Sequence, residues 1–162
     1  VAAAAPEDLF MTKSLLDRAA EGLYRQLNSH NNDLSKVPEI TRPIALLYMF
    51  QGMVDNGGFR YPMESDFPGN PPYSEFVEAY RRIGAADAAE ALEKAVALFP
   101  FDHPECNSEA RNQYFDSLGD DEFENSQFSQ LSDRVCGDQT IWTRMDEYVA
   151  RHNKDFAPFI IQ

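Results

Sequence analysis

The stretch VDNGGFRYPM, residues 54–63, decides how this chain is read, because Gly57-Gly58 follows an apolar run and the same letters suit three structures. A phosphate-cradling loop sets its glycines ahead of a helix, where backbone N–H groups and the positive end of the helix dipole meet the anion. Here the glycines come behind the apolar run, and no Gly-Lys-Ser/Thr follows them. A tight hairpin needs alternating strands on both sides, whereas residues 47–54, LYMFQGMV, are apolar nearly all round. A helix stop remains. Asn56 or Gly57 takes the left-handed conformation of the cap, Gly58 lets the chain reverse close to a neighbour, and Phe59 turns back into the core. The quartet Asn56, Gly57, Gly58 and Phe59 is therefore a structural corner.

Helical spacing extends from this corner in both directions. The helix leading into it spans about residues 42–55, with Thr41 as cap and Pro43 in the first turn. An earlier helix places Leu9, Leu16, Ala20, Leu23 and Leu27 on one face, with Lys13, Asp17, Glu21 and Arg25 as a solvent stripe. Its expected start is Pro6-Glu7-Asp8 and its end His30-Asn31-Asn32. A third helix begins at Ser74, carries Phe76, Val77, Tyr80 and Ile83, and stops at Gly84. A fourth, from near Asp87, shows Leu92, Ala95, Val96 and Phe99 and stops at Pro100. Three more are expected: one capped by Asn107 or Ser108 and running through Leu118, one over about residues 121–135, and one over about residues 138–153. No sustained strict alternation of the strand kind interrupts them. The expectation is an all-α fold of about seven helices in a single domain over residues 7–156, with a frayed N-terminus (1–6) and a C-terminal tail (157–162). Residues 60–73 form the longest irregular piece, stiffened by Pro62, Pro68, Pro71 and Pro72. Loops of this length are often functional; this one also reads as an aromatic lid over the core.

Charge is the unusual property. With 27 acidic and 14 basic residues the chain carries −13, which disfavours nucleic acid and anionic membrane as direct partners and favours basic proteins. The excess is not uniform. Residues 102–133 hold Asp102, Glu105, Glu109, Asp116, Asp120, Asp121, Glu122, Glu124 and Asp133 against Arg111 alone. Acids also suit helix N-termini and solvated faces, so the cluster serves either a basic partner or solubility. Two cysteines, Cys106 and Cys136, do not make a disulfide scaffold, and a reduced, cytoplasmic setting is expected. No apolar run approaches the ~20 residues of a membrane span.

Reactive chemistry is sparse. His30, His103 and His152 form no metal-binding spacing. Asp120-Asp121-Glu122 lacks the alternating ligands and central glycine of a calcium loop. His103 and Cys106 stand three apart, a spacing that admits a thiolate–imidazole pair but equally a surface histidine beside a structural cysteine. The expectation is no enzyme, no catalytic residues, no cofactor and no metal.

Several short motifs carry a family resemblance. Asn56-Gly57-Gly58-Phe59 behind an apolar helix, Ile83-Gly84-Ala85 with Ala88-Ala89 and Leu92, Phe99-Pro100, Phe115-Asp116-Ser117-Leu118, and Tyr148-Val149 with Asn153 and Phe156 together resemble the DNA-mimic-protein family, over roughly residues 44–156. Tyr61, Pro62 and Met63 stand where that family carries a glutamine, an aromatic and an asparagine-rich turn. The resemblance implies a helical domain without catalysis whose acidic surface takes the place of DNA on a regulator. The first reading is thus an interaction protein for a basic DNA-binding partner, acting through Asp116, Asp120, Asp121, Glu122 and Glu124, with Asp102, Glu105 and Glu109 secondary. An immunity-type inhibitor of a toxin, and a small-ligand or enzymatic role under the 60–73 loop, are the alternatives.

Overall fold

The computed structural model describes residues 12–160. Its first helix, α1 (Leu15–Ser29), opens on a capping box in which the Ser14 hydroxyl accepts the Asp17 N–H (3.0 Å) and the Asp17 carboxylate accepts the Ser14 N–H (3.2 Å). The expected start at Pro6-Glu7-Asp8 lies outside the described residues, as does Leu9. Residues 12–14 are not helical, so α1 begins at Leu15, where the reciprocal cap satisfies its first N–H groups. Leu16, Ala20, Leu23 and Leu27 are buried along one face, as their spacing predicts.

The central helix α2 (Arg42–Gly57) buries Ile44, Leu46, Leu47, Phe50 and Val54 and packs on α1 and on α4 (Tyr73–Arg82). Thr41 precedes it, but its hydroxyl donates backwards to the Pro38 carbonyl (2.8 Å) instead of capping the helix. A single turn, α3 (Arg60–Met63), follows the corner. Helices α4 and α5 (Ala86–Val96) form a helical hairpin through Gly84. Helix α5 ends before Leu98 and Phe99 rather than at Pro100. Then come α6 (Ser108–Ser117), capped by the Asn107 side chain, α7 (Asp120–Phe123), α8 (Gln127–Asp133), capped by Ser126, α9 (Gln139–Arg151), capped by Asp138, and α10 (Asn153–Phe156).

Among the described residues the fold is all-helical, one compact domain without strands, with ten α-helices instead of about seven. The difference lies in the single turns α3, α7 and α10. The continuous helix expected over residues 121–135 breaks because Ser126 takes an extended conformation and caps a new helix, its hydroxyl accepting the Ser129 N–H (3.1 Å). The last expected helix breaks at His152. Beyond it Phe156 is fully buried, and the backbone of Phe159 lies so close over Gly22 of α1 that no Cβ would fit. The chain thus closes on its own domain.

At the corner, α2 runs on through Asn56 and Gly57, and the positive φ belongs to Gly58 (+66°) rather than to either of them. Gly58 faces Ser132 of α8, where a Cβ would overlap the serine Oγ. That Oγ accepts the Phe59 N–H at 2.7 Å. Phe59 itself is fully buried, edge-on to Phe128. A second buried link starts from Gln51. Its Oε1 accepts from the Tyr80 hydroxyl (2.6 Å), and its Nε2 donates to Asp55 Oδ1 (2.8 Å) and the Val135 carbonyl (3.2 Å). Asp55 also accepts the Gly137 N–H (2.8 Å) and the Trp142 indole N–H (2.7 Å). These bonds join α2 to α4, α9 and the turn before α9, and every buried polar side-chain atom among the described residues has a partner.

Candidate protein-interaction face

Between Lys94 and Arg134 the sequence has one cation, Arg111. The fold removes it from the surface. Arg111 sits on the inner side of α6, one turn before Phe115, and both are buried. All five of its N–H donors are engaged. Nε donates to Met63 O (2.7 Å), Nη1 to Pro104 O (2.6 Å) and Glu105 O (3.1 Å), and Nη2 to Ser65 O (3.2 Å) and Asp66 Oδ1 (3.0 Å). The charge that nominally offsets the acidic segment is thus spent inside, clamping the start of the proline loop to α6.

The acids lie outside. Glu109 and Asp116 stand seven residues apart on α6, two turns along one exposed face. Asp120, Asp121 and Glu122 make up most of α7, Glu124 follows, and all four are exposed. Phe123 anchors this turn, its ring 6.2 Å from Phe115 and 6.1 Å from Phe128. The guanidinium of Arg60 covers the same aromatics, 5.4 Å from the Phe115 ring and 4.9 Å from that of Phe123. Arg60 pairs with Glu64 (2.8 Å) and comes within 3.9 Å of Asp116, whose side chain stays 78% exposed. Among the described residues, Asp102, Glu109, Asp120, Asp121, Glu122, Glu124 and Asp133 have no ion-pair partner.

Acids elsewhere are mixed: Glu39, Glu75 and Asp87 are also exposed without an ion-pair partner among the described residues, whereas others are bridged. Glu90 is bridged by Lys94 (2.7 Å) and Arg134 (3.2 Å), and Glu21 by Lys13 (2.7 Å) and Arg25 (2.8 Å). Hydrogen bonds from those cations hold both carboxyls below their ordinary pKa. Glu105 stands apart from the other predicted residues. Its side chain is only 13% exposed, lies 3.7 Å from His103 Nδ1, and does not join the open row. The structure therefore gathers Glu109, Asp116, Asp120, Asp121, Glu122 and Glu124 along α6 and α7, with Asp102 exposed on the preceding loop. Sequence reasoning counted Arg111 as an offsetting charge and missed its role. The available signal was its place one turn ahead of Phe115, on the apolar side of α6.

The remaining candidates resolve plainly. His103 (81% exposed) and Cys106 (exposed) are joined by a backbone bond, the Cys106 N–H donating to the His103 carbonyl (3.0 Å), but no hydrogen bond links imidazole and thiol as a nucleophile–base pair would. Both cysteines are free thiols. Among the described residues no three His, Cys, Asp or Glu side chains gather around a point fit for a metal ion, and no helix is long and apolar enough to cross a membrane. The proline loop does cover space: Phe67, Pro68, Gly69 and Pro71 roof a cavity of about 310 Å³ between α1 and α2.

The model of a known family, the DMP19-like proteins (DNA mimic protein 19-like), matches residues 35–152, which takes in the corner, the clamp and the whole acidic row. No curated protein and no solved structure matches the chain.

Proposed function

Because the chain belongs to the DMP19-like protein family, we propose that it is a non-enzymatic protein whose α6–α7 carboxylates occupy the nucleic-acid site of a basic DNA-binding partner. One observation carries this reading: the only cation between Lys94 and Arg134 is buried and fully hydrogen-bonded, while Glu109, Asp120, Asp121, Glu122 and Glu124 are exposed and have no ion-pair partner among the described residues. DNA-binding proteins draw much of their affinity from Lys and Arg contacts to phosphates. Carboxylates fixed on a folded surface offer the same side chains a row of negative charge, with little ordering entropy to lose on binding.

The test is retention of a partner from lysate of the source organism, eluted by salt, identified by mass spectrometry and challenged with duplex DNA. The expected result is a basic DNA-binding protein that DNA displaces. Its affinity falls by about 100-fold, roughly 2.7 kcal/mol, when Asp120, Asp121, Glu122 and Glu124 are all changed to lysine and the helical circular dichroism is kept. A control carries the same number of reversals at Asp33, Glu39, Glu75 and Glu78. Equal loss in the control would show that only net charge matters and would remove this face from the reading.

A further inference from the structure

We infer that the cavity under the proline loop binds a small neutral molecule, about two fused rings in size, that accepts a hydrogen bond at one edge. In a chain that is 25% charged, no charged side chain lines this space. Its walls are Leu27 of α1, Leu34, and Ala45, Leu46 and Met49 of α2, beneath the Phe67–Pro71 roof. An apolar cavity of about 150 Å³ already accommodates benzene. A volume of about 310 Å³ therefore suits a bicyclic or short-chain molecule, at the lower end of the usual range for ligand sites.

The polar side chains among the lining residues are those of Tyr24, Asn28 and Asn32. Tyr24 accepts the Met49 N–H at 2.8 Å, and its own hydroxyl proton has no acceptor among the described residues. Burial pushes the pKa of this phenol up, so it remains a donor. Asn28 and Asn32 also line the cavity, and neither side chain makes a hydrogen bond within the described residues. An apolar body with one carbonyl or ether oxygen satisfies this pattern, whereas a charged ligand would find no counter-charge.

The roof is preformed. Phe67 packs edge-on against Phe50 (6.3 Å) and Phe76 (5.0 Å). The backbone of Gly69 lies directly on the Asn32 carbonyl, where no Cβ would fit. Arg111 and Asn112 hold the carbonyls of Met63, Glu64 and Ser65 just upstream. Little ordering is left for a ligand to impose.

The probe is 6-propionyl-2-(dimethylamino)naphthalene, which is neutral and bicyclic and carries one ketone. The expected result is saturable one-to-one binding with blue-shifted emission. In a methionine-methyl NMR spectrum the Met49 signal should move, while those of Met63 and Met145, buried away from the cavity, stay in place. Met49→Trp, which fills the space, should weaken binding by about tenfold or more, and Tyr24→Phe by about threefold to tenfold, the scale of one lost hydrogen bond. Absence of saturable binding, shifts at Met63 or Met145 in place of Met49, or unchanged affinity in Tyr24→Phe would overturn the assignment. If Met49→Trp does not fold, the wild-type methyl spectrum and Tyr24→Phe decide. None of these readouts involves the acidic face, so this site stands or falls independently of the proposed partner.

Discussion

Replacing Arg111 by methionine keeps most of the side chain's length and removes five donors. The consequences differ from one acceptor to the next. Asp66 is 58% exposed, so water recovers its carboxylate and the ion pair itself contributes little. Ser65 and Glu105 hold the longer bonds, 3.2 and 3.1 Å, at partly buried positions. The loss falls mainly on the carbonyl of Met63, whose bond (2.7 Å) is buried, and less on that of Pro104, whose bond is the shortest (2.6 Å) but partly buried. An unsatisfied buried acceptor costs about 1–3 kcal/mol, so Met63 together with a smaller share from Pro104 gives roughly 3 kcal/mol. In a chain of this size that corresponds to a drop in Tm of roughly 6–12 °C. Urea unfolding followed by circular dichroism measures it, in about 0.5 M salt so that the extra net negative charge is screened. Arg111→Lys, which offers three donors from a single point, should fall between the two. A loss below about 1 kcal/mol in Arg111→Met would mean that these carbonyls have other partners, and the clamp would be refuted.

Two further outcomes follow from the corner and from α1. Gly58→Ala places a Cβ at φ +66° against Ser132 Oγ and should cost about 2–4 kcal/mol, strain and overlap together. Ser132→Ala should cost about 1–3 kcal/mol by stranding the buried Phe59 N–H. The double variant should lose less than the two combined, and strict additivity in chemical denaturation would separate the residues. Asp17 is held below its ordinary pKa of 3.8, chiefly by the Tyr48 hydroxyl donating to its Oδ1 (2.7 Å). Its folded carboxylate is the favoured form, so the stability it contributes is complete above that ordinary value and is lost as pH falls through the lowered one. In Tyr48→Phe the Asp17 pKa should rise toward 3.8 and the acid limb of the stability profile should become shallower. NMR titration of the Asp17 carboxyl carbon reads this directly, and an unmoved pKa would rule out the hydroxyl as cause.

Much of the fold was legible in local signals. Period, caps and glycine stops mark α1, α2, α4, α5, α6 and α9, because a helix writes its buried face and its ends into residues a few positions apart. The same locality explains the misses. Single turns such as α3 and α10 bury too few residues to show a period. Ser126 could pass as a helix-interior residue until its extended backbone made it a cap. Thr41 fits an N-cap by type, yet its hydroxyl found the Pro38 carbonyl instead.

The sequence by itself determined that the chain is helical, that it turns at Asn56-Gly57-Gly58-Phe59, and that its acids concentrate in residues 102–133, since these depend on near neighbours or on simple counting. Tertiary structure alone decided which charges face solvent. Arg111 is buried because carbonyls 48 and 46 positions upstream come to meet it. Gly58 has to be a glycine with Ser132 opposite because α8 arrives from 73 positions away to accept the Phe59 N–H. The cavity exists because the proline loop closes over α1 and α2. Burial of a charge and enclosure of a volume are properties of groups that converge in space, and the spacing along one helix carries no record of them.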